Sequence, residues 1–187
     1  MPVIRYTFIL LLFVGQQSFA GEQEDRKQFK ALYSKLKADK AADISALKNY
    51  SLYPYLEYQQ IINNLPSTST QSIESFIMTY ADSPLSNKLR VNLMERYNKE
   101  AQWGQTFTLY QEENSSLKAK CLHLQARIEL GDKKQALIDG KKLWMSGRDR
   151  PKQCDALFQL LASNKQLSRD DYWQRITLAM DRGAVSL

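Results

Sequence analysis

Apolar positions along this chain recur three and four residues apart, and the rhythm breaks at prolines, glycines and short polar runs. From Glu22 to Lys37, the residues Phe29, Leu32, Tyr33 and Leu36 share one face of an amphipathic helix. Asp43 is placed to cap a shorter helix carrying Ile44 and Leu47. Pro54 suits the first turn of a helix reaching about Leu65, because it has no N–H to leave unpaired there. After Pro66 and the polar run Ser67 to Thr70, a helix carries Ile73, Phe76, Ile77 and Tyr80. After Asp82-Ser83-Pro84, another carries Leu85, Leu89, Leu93 and Tyr97 and extends to Trp103-Gly104. A short helix with Phe107 and Tyr110 precedes one with Leu122, Leu124, Ile128 and Leu130, which a Gly131-Asp132 corner joins to one with Ala136, Leu137, Leu143 and Trp144. Beyond the Gly147 to Pro151 turn come a helix with Leu157, Phe158 and Leu161 and a last one, from Asp170 or Asp171 through Trp173, Ile176 and Met180, closed by Gly183. No run alternates polar and apolar with the β-branched enrichment of a strand, so the pattern predicts an all-α protein.

The predicted helices pair at intervals of roughly thirty to forty residues, and Leu130-Gly131-Asp132 with Ala136 downstream looks like the corner of tetratricopeptide-like arrays. Stacked antiparallel pairs bury a continuous core between neighbours and wind into a right-handed α-superhelix, a solenoid; a compact bundle is the alternative. The last helix shows no capping face, so the pattern reads as an array cut in mid-course. On that reading the pair carrying Leu157, Phe158 and Leu161 and then Trp173, Ile176 and Met180 keeps an uncovered apolar face, through which the chain self-associates or frays.

The only two cysteines, Cys121 and Cys154, lie near the start of one helix of the predicted hairpin and just past the end of the other. An antiparallel hairpin brings those places together. No Cys-x-x-Cys or Cys/His ligand spacing surrounds either residue, which points to a disulfide rather than a metal site. A bridge over 154 − 121 = 33 intervals stabilises a fold by roughly 3–4 kcal/mol in the chain-entropy model. Two free buried thiols are the alternative, and compartment decides between them.

The first twenty residues bear on compartment. Arg5, the uncharged apolar run Tyr6 to Val14, and Ser18-Phe19-Ala20 match a secretory signal peptide over residues 1–20, cleaved near Ala20-Gly21, with one α-superhelical domain over 21–187. The run is too short for a membrane span, which needs about 20 residues, and no stop-transfer flank follows. An uncleaved anchor is the competing reading. Export favours the bridged cysteines, because disulfides persist in oxidising compartments.

Hydrophobic content of 43% and aromatic content of 11% are globular values and argue against disorder. Net charge is +6, or 6 − 1 = +5 without Arg5. This mild basic bias fits an anionic polymer, yet basic residues alternate with acids in the manner of solvated helix faces, with no block of the kind that binds nucleic acid. His123 is the single histidine and is expected on a helix surface, so no His-ligated metal site or Ser-His-acid triad is built around it; no phosphate loop occurs and no cofactor is expected. Tyr50, Tyr53, Tyr55 and Tyr58 form a dense cluster that serves either as a core edge with hydroxyls at the rim or as a sugar-stacking surface. Asn49-Tyr50-Ser51 and Asn114-Ser115-Ser116 fit the glycosylation pattern, a signal frequent by chance.

Tyr53-Pro54-Tyr55-Leu56-Glu57-Tyr58, Leu143-Trp144-x-x-Gly147, Cys154-Asp155-x-Leu157-Phe158 and Arg175-Ile176-x-Leu178-Ala179-Met180 closely resemble, in order and spacing, the N-terminal part of soluble lytic murein transglycosylases. The resemblance covers essentially the whole chain after the leader. It implies a periplasmic protein, a long α-superhelical region that curls into a ring of which this chain is an incomplete ring segment, and peptidoglycan as partner through a C-terminal lysozyme-like domain that leaves 1,6-anhydromuramoyl ends. It also implies a cysteine pair in the helical region, matched by Cys121 and Cys154. Tyr53, Tyr55, Tyr58 and Trp144 become candidate glycan or domain contacts. The catalytic Glu-Ser followed by Gly-Leu-Met-Gln and Ala-Tyr-Asn is not reproduced: Glu74-Ser75 and Asn92-Leu93-Met94-Glu95 are an echo without the glycine turn. No catalytic residue is therefore assigned, and the chain is expected to be inactive alone, as a scaffold region of such an enzyme. The alternative is a free-standing periplasmic helical-repeat binding protein without catalysis.

Overall fold

Gly131, at φ +101°, adopts the left-handed backbone that glycine takes without strain, and there the chain reverses from one helix, α6 (Leu117–Glu129), into the next, α7 (Lys133–Trp144). Corners of this kind shape a chain that is helical throughout its described secondary structure. The computed structural model describes residues 7–113 and 115–183, with side chains from Gly21 onward. The remaining helices are α1 (Thr7–Lys37), α2 (Tyr53–Asn63), α3 (Thr70–Thr79), α4 (Pro84–Lys99), α5 (Trp103–Leu109), α8 (Asp155–Ser163) and α9 (Arg169–Asp181), with 3-10 turns at Ser45–Leu47 and Lys152–Cys154. Arg5, Tyr6 and Asn114, invoked above for the leader and a glycosylation motif, lie outside the described residues, as do the side chains of residues 7–20. Among the described residues no helix is long and apolar enough to cross a membrane.

The chain divides into two units, Met1–Phe76 and Ile77–Leu187. In the first, α1 packs on α2 around a core of Leu36, Ile44, Leu47 and Leu56. Two amides tie α2 to the chain before it: Asn63 Nδ2 donates to the Leu36 carbonyl at 2.7 Å and Gln60 Nε2 to the Ala42 carbonyl at 2.7 Å. The helix expected around Ile44 and Leu47 is a single 3-10 turn, where Asp43 Oδ1 accepts from the Ser45 N–H at 2.9 Å. Six residues later α2 begins, leaving no length for a longer helix.

In the second unit, sequential neighbours pack pairwise: α4 on α5, α5 on α6, α6 on α7 and α7 on α8. Helix starts follow their capping chemistry. Ser83 Oγ accepts from the Leu85 N–H ahead of Pro84, Ser116 Oγ accepts from the Ala119 N–H, and Ser168 and Asp171 form a reciprocal capping box. Where one helix was expected to extend to Trp103-Gly104, α4 ends at Lys99, the backbone turns left-handed at Ala101 (φ 56°), and Trp103 opens α5. The main core joins Cys121, Leu124, Ile128, Ala136, Leu137, Trp144, Cys154, Leu157 and Leu161. Burial of each such Leu or Ile stabilises by about 1.5–3 kcal/mol. Cys121 and Cys154 are disulfide-bonded, with Cα atoms 4.9 Å apart, so the hairpin is stapled to the turn that follows it.

One expectation is corrected. Leu157 and Leu161 are fully buried and Phe158 is partly covered, so the uncovered apolar face belongs to α9 alone and not to a helix pair. The face of α8 is closed by α7 and α6, which reach it from the hairpin side.

Candidate functional site

The four aromatic residues singled out in the sequence take different places. Tyr53 packs against the core of the first unit, and burial, ahead of the charges of Glu57 and Asp43, pushes its phenol upward. Tyr58 lies partly buried with its ring tilted against Phe76 at 6.4 Å, and burial raises its phenol too. Both therefore form the edge of a core, while Tyr55 is exposed. Trp144, the fourth candidate glycan or domain contact, is only 6% exposed: its ring meets the edge of Tyr172 at 5.1 Å, and the Arg175 guanidinium covers it at 4.6 Å. Both partners belong to α9, so the indole docks that helix. Glu74 sits half-buried on α3 between Ile73 and Phe76.

The pattern of hydrophobicity missed a polar cleft beside the hairpin. It measures about 320 Å³ and is lined by Tyr110, Glu112, Lys120, His123, Leu124, Arg127, Asp139, Lys142 and Leu143. Lys120, His123, Leu124 and Arg127 come from one side of α6, because residues three and four apart share a helix face. Asp139, Lys142 and Leu143 come from α7 by the same rule. His123 is not a plain surface residue. Its ring is stacked between Tyr110 (centroids 3.9 Å apart, planes at 15°) and Phe107 (5.0 Å, 27°), and its buried Nδ1 has no hydrogen-bond partner. Burial first, and the nearby Arg127 charge second, push its pKa down to about 4. At neutral pH it is an uncharged aromatic wall and not a proton donor.

The charges beside it balance one another. Arg127 donates from Nε at 2.8 Å and from Nη2 at 2.6 Å to Asp132 Oδ2, and from Nη1 at 3.3 Å to Asp139 Oδ2. Lys142 Nζ donates to Asp139 Oδ1 at 2.9 Å. Burial opposes ionisation of both groups. The hydrogen bonds outweigh it, holding the Asp139 carboxyl below its ordinary range and the Arg127 guanidinium above its own. Such a network locks the Gly131 corner and leaves the cleft able to hydrogen-bond a ligand. Among the described residues no group of three or more His, Cys, Asp or Glu is placed to hold a metal ion. A long-range signal, the Phe107, Tyr110 and His123 rings falling together, was hidden because they belong to different elements.

No family model matches the chain. A soluble lytic murein transglycosylase from Escherichia coli (strain K12) is 28% identical over 141 residues, which is 75% of this chain and 22% of that protein. A soluble lytic murein transglycosylase from Salmonella typhimurium is likewise 28% identical over 141 residues, 75% of this chain and 22% of that protein. The X-ray structure of an inactive mutant of lytic transglycosylase Slt from Pseudomonas aeruginosa superposes with a TM-score of 0.71 at 27% identity, covering 81% of this chain and 25% of that one. The 70-kDa soluble lytic transglycosylase in complex with bulgecin A gives 0.64 at 25% identity, over 90% of this chain and 26% of that one. This chain thus spans about a quarter of the length of the proteins it resembles. Its helices match theirs in sequence and in backbone, and the chain is homologous to the N-terminal helical region of the soluble lytic murein transglycosylase family.

Proposed function

We propose that this chain is the helical scaffold region of a peptidoglycan-acting lytic transglycosylase, exported to the periplasm after cleavage near Ala20-Gly21. On this reading the helices position and contact the polymer, and glycan cleavage with 1,6-anhydromuramoyl products belongs to the lysozyme-like domain of the family. The observation that carries it is the backbone agreement with a lytic transglycosylase over 81% of the chain. The interior supports a structural role: Cys121, Leu157 and Leu161 stand fully buried in the stapled core, whereas the cleft beside His123 is walled by a neutral ring and paired charges.

Purified sacculi supply the test. Incubated with the chain, they release no 1,6-anhydromuropeptides above buffer but carry the chain down on sedimentation. Release abolished by Glu74→Gln would overturn the assignment, as would a failure to sediment with sacculi. Self-association belongs to the same proposal: a second copy covers the bare stripe of α9, so the sedimentation coefficient rises with concentration and Trp173→Ser removes the rise. A coefficient independent of concentration in the parent chain would contradict it.

A further inference from the structure

The side of α6 turned away from His123 carries Cys121, Gln125 and Glu129 at intervals of four, one stripe of a helix. This stripe faces α8 and forms a second cleft, of about 440 Å³, lined by Trp103, Gln125, Glu129, Gln159, Leu160 and Ser163 above Ala156. That volume lies within the range of small-ligand sites. The chemistry of the lining is specific: one indole, two carboxamides, one carboxylate and one hydroxyl around a small apolar floor. A flat aromatic face packs against the C–H face of a sugar ring, while the carboxamides both give and receive, and the carboxylate receives, the hydrogen bonds that hydroxyl and acetamido groups make. No Lys or Arg stands among the lining residues, so the cleft does not match a strongly anionic ligand.

Its polar wall is fixed in advance. Gln125 is buried, and its Nε2 donates to the Gln153 carbonyl at 2.6 Å. Gln153 Nε2 donates in turn to Glu95 Oε2 at 3.0 Å. Cys154 follows Gln153 directly and is bonded to Cys121, one helical turn before Gln125. The disulfide therefore clamps the Gln153 carbonyl against the side chain that it orients. A preorganised donor or acceptor loses less freedom on binding.

We propose that this cleft holds one unit of a neutral glycan, an N-acetylhexosamine, and that the Cys121–Cys154 bond keeps it in binding shape. The identity of the polymer rests on the peptidoglycan reading above; the saccharide class rests on the lining itself. The test titrates the oxidised full chain, labelled with fluorotryptophan, with chitotetraose. The Trp103 signal, assigned through Trp103→Phe, shifts saturably while those of Trp144 and Trp173 stay in place. Gln159→Ala and Ser163→Ala, both at exposed positions, each weaken binding about threefold to tenfold with an unchanged thermal midpoint. Reduction of the disulfide below the unfolding temperature weakens binding as well. An unmoved Trp103 signal up to the solubility limit of the sugar, or binding indifferent to both substitutions, overturns the proposal. If the chain sediments with sacculi while chitotetraose leaves Trp103 unmoved, the cleft assignment falls and the scaffold reading stands. If Trp103 responds and sacculi do not retain the chain, the cleft stands without its polymer.

Discussion

Helices α8 and α9 carry similar apolar stripes and meet opposite fates. Leu157 and Leu161 of α8 are 0% exposed, inside the core that the disulfide closes. Trp173 and Met180 of α9 are 70% and 74% exposed, and Tyr172 and Ile176 on the same face are nearly half exposed. What holds α9 is polar and aromatic instead: Lys141 Nζ bonds Asp171 Oδ2 at 2.6 Å, Tyr172 meets Trp144, and Arg175 lies over Trp144 and Phe158. Burial of apolar area supplies most of the stability of a packed helix, and exposed ion pairs add little. A helix that buries little beyond Ala179 is therefore the weaker of the two, and among the described residues its stripe from Tyr172 to Met180 stays largely exposed.

The largest contrast comes from matched truncations. Leu157→Ala removes a fully buried side chain and lowers stability by about 2–5 kcal/mol. Trp173→Ser removes a larger side chain yet changes stability by no more than about 0.5 kcal/mol, because most of it is already in water. Denaturant titration of both variants checks the pair, and equal losses would erase the difference between the helices.

That contrast also marks what the sequence made legible. Helical spacing identified an apolar face on each helix, and Gly131, Pro151 and the two cysteines placed the hairpin and its staple. Periodicity cannot say what covers a face. Trp144 and Trp173 both fall on apolar helix faces in the sequence, and Tyr172 and Arg175, twenty-eight and thirty-one positions beyond Trp144, cover the first ring while the second stays exposed. The stacked His123 and the clamp of Gln125 by Gln153 escaped notice for the same reason. Each depends on partners brought together by connections between helices, the link from α5 to α6 for His123 and the Gly131 corner with the turn after α7 for Gln125, and not by helical spacing.

The staple is next in size. Cys121→Ser or Cys154→Ser lowers stability by about 2–4 kcal/mol, and the parent chain has a mass two hydrogens below the dithiol. Modification of both thiols in native, unreduced chain would remove this element from the account. A smaller effect separates α9 from the rest. A Cβ on Gly147 would lie 2.1 Å from the Leu178 carbonyl oxygen, so the α9 backbone must move. Gly147→Ala costs about 1–3 kcal/mol, with loss of the α9 amide signals and retention of those from α6 to α8. Uniform loss would place α9 inside the cooperative core.

Acid gives the smallest effects. His123 takes a proton at about 4 when folded and at 6.5 in its ordinary state, so the folded chain binds fewer protons between those values. The stability of the neutral ring is complete above about pH 6.5 and is lost as pH falls towards 4. It amounts to about 1–2 kcal/mol once partial exposure is allowed for, and His123→Phe flattens this slope. At lower pH the hydrogen bond from Lys141, ahead of those from Ser168, holds the Asp171 carboxyl at about 2. Its contribution is present above the usual value of 3.8 and disappears as pH falls towards 2, so α9 releases in that window.

Native-state hydrogen exchange tests most directly whether α9 is a loosely docked helix on a locked core. Amides of α6, α7 and α8 exchange only with global unfolding, while those from Arg169 to Asp181 exchange through a local opening at lower free energy. Protection of Arg169 to Asp181 equal to that of α8, in a chain that stays monomeric, would contradict the account and make α9 part of one cooperative unit.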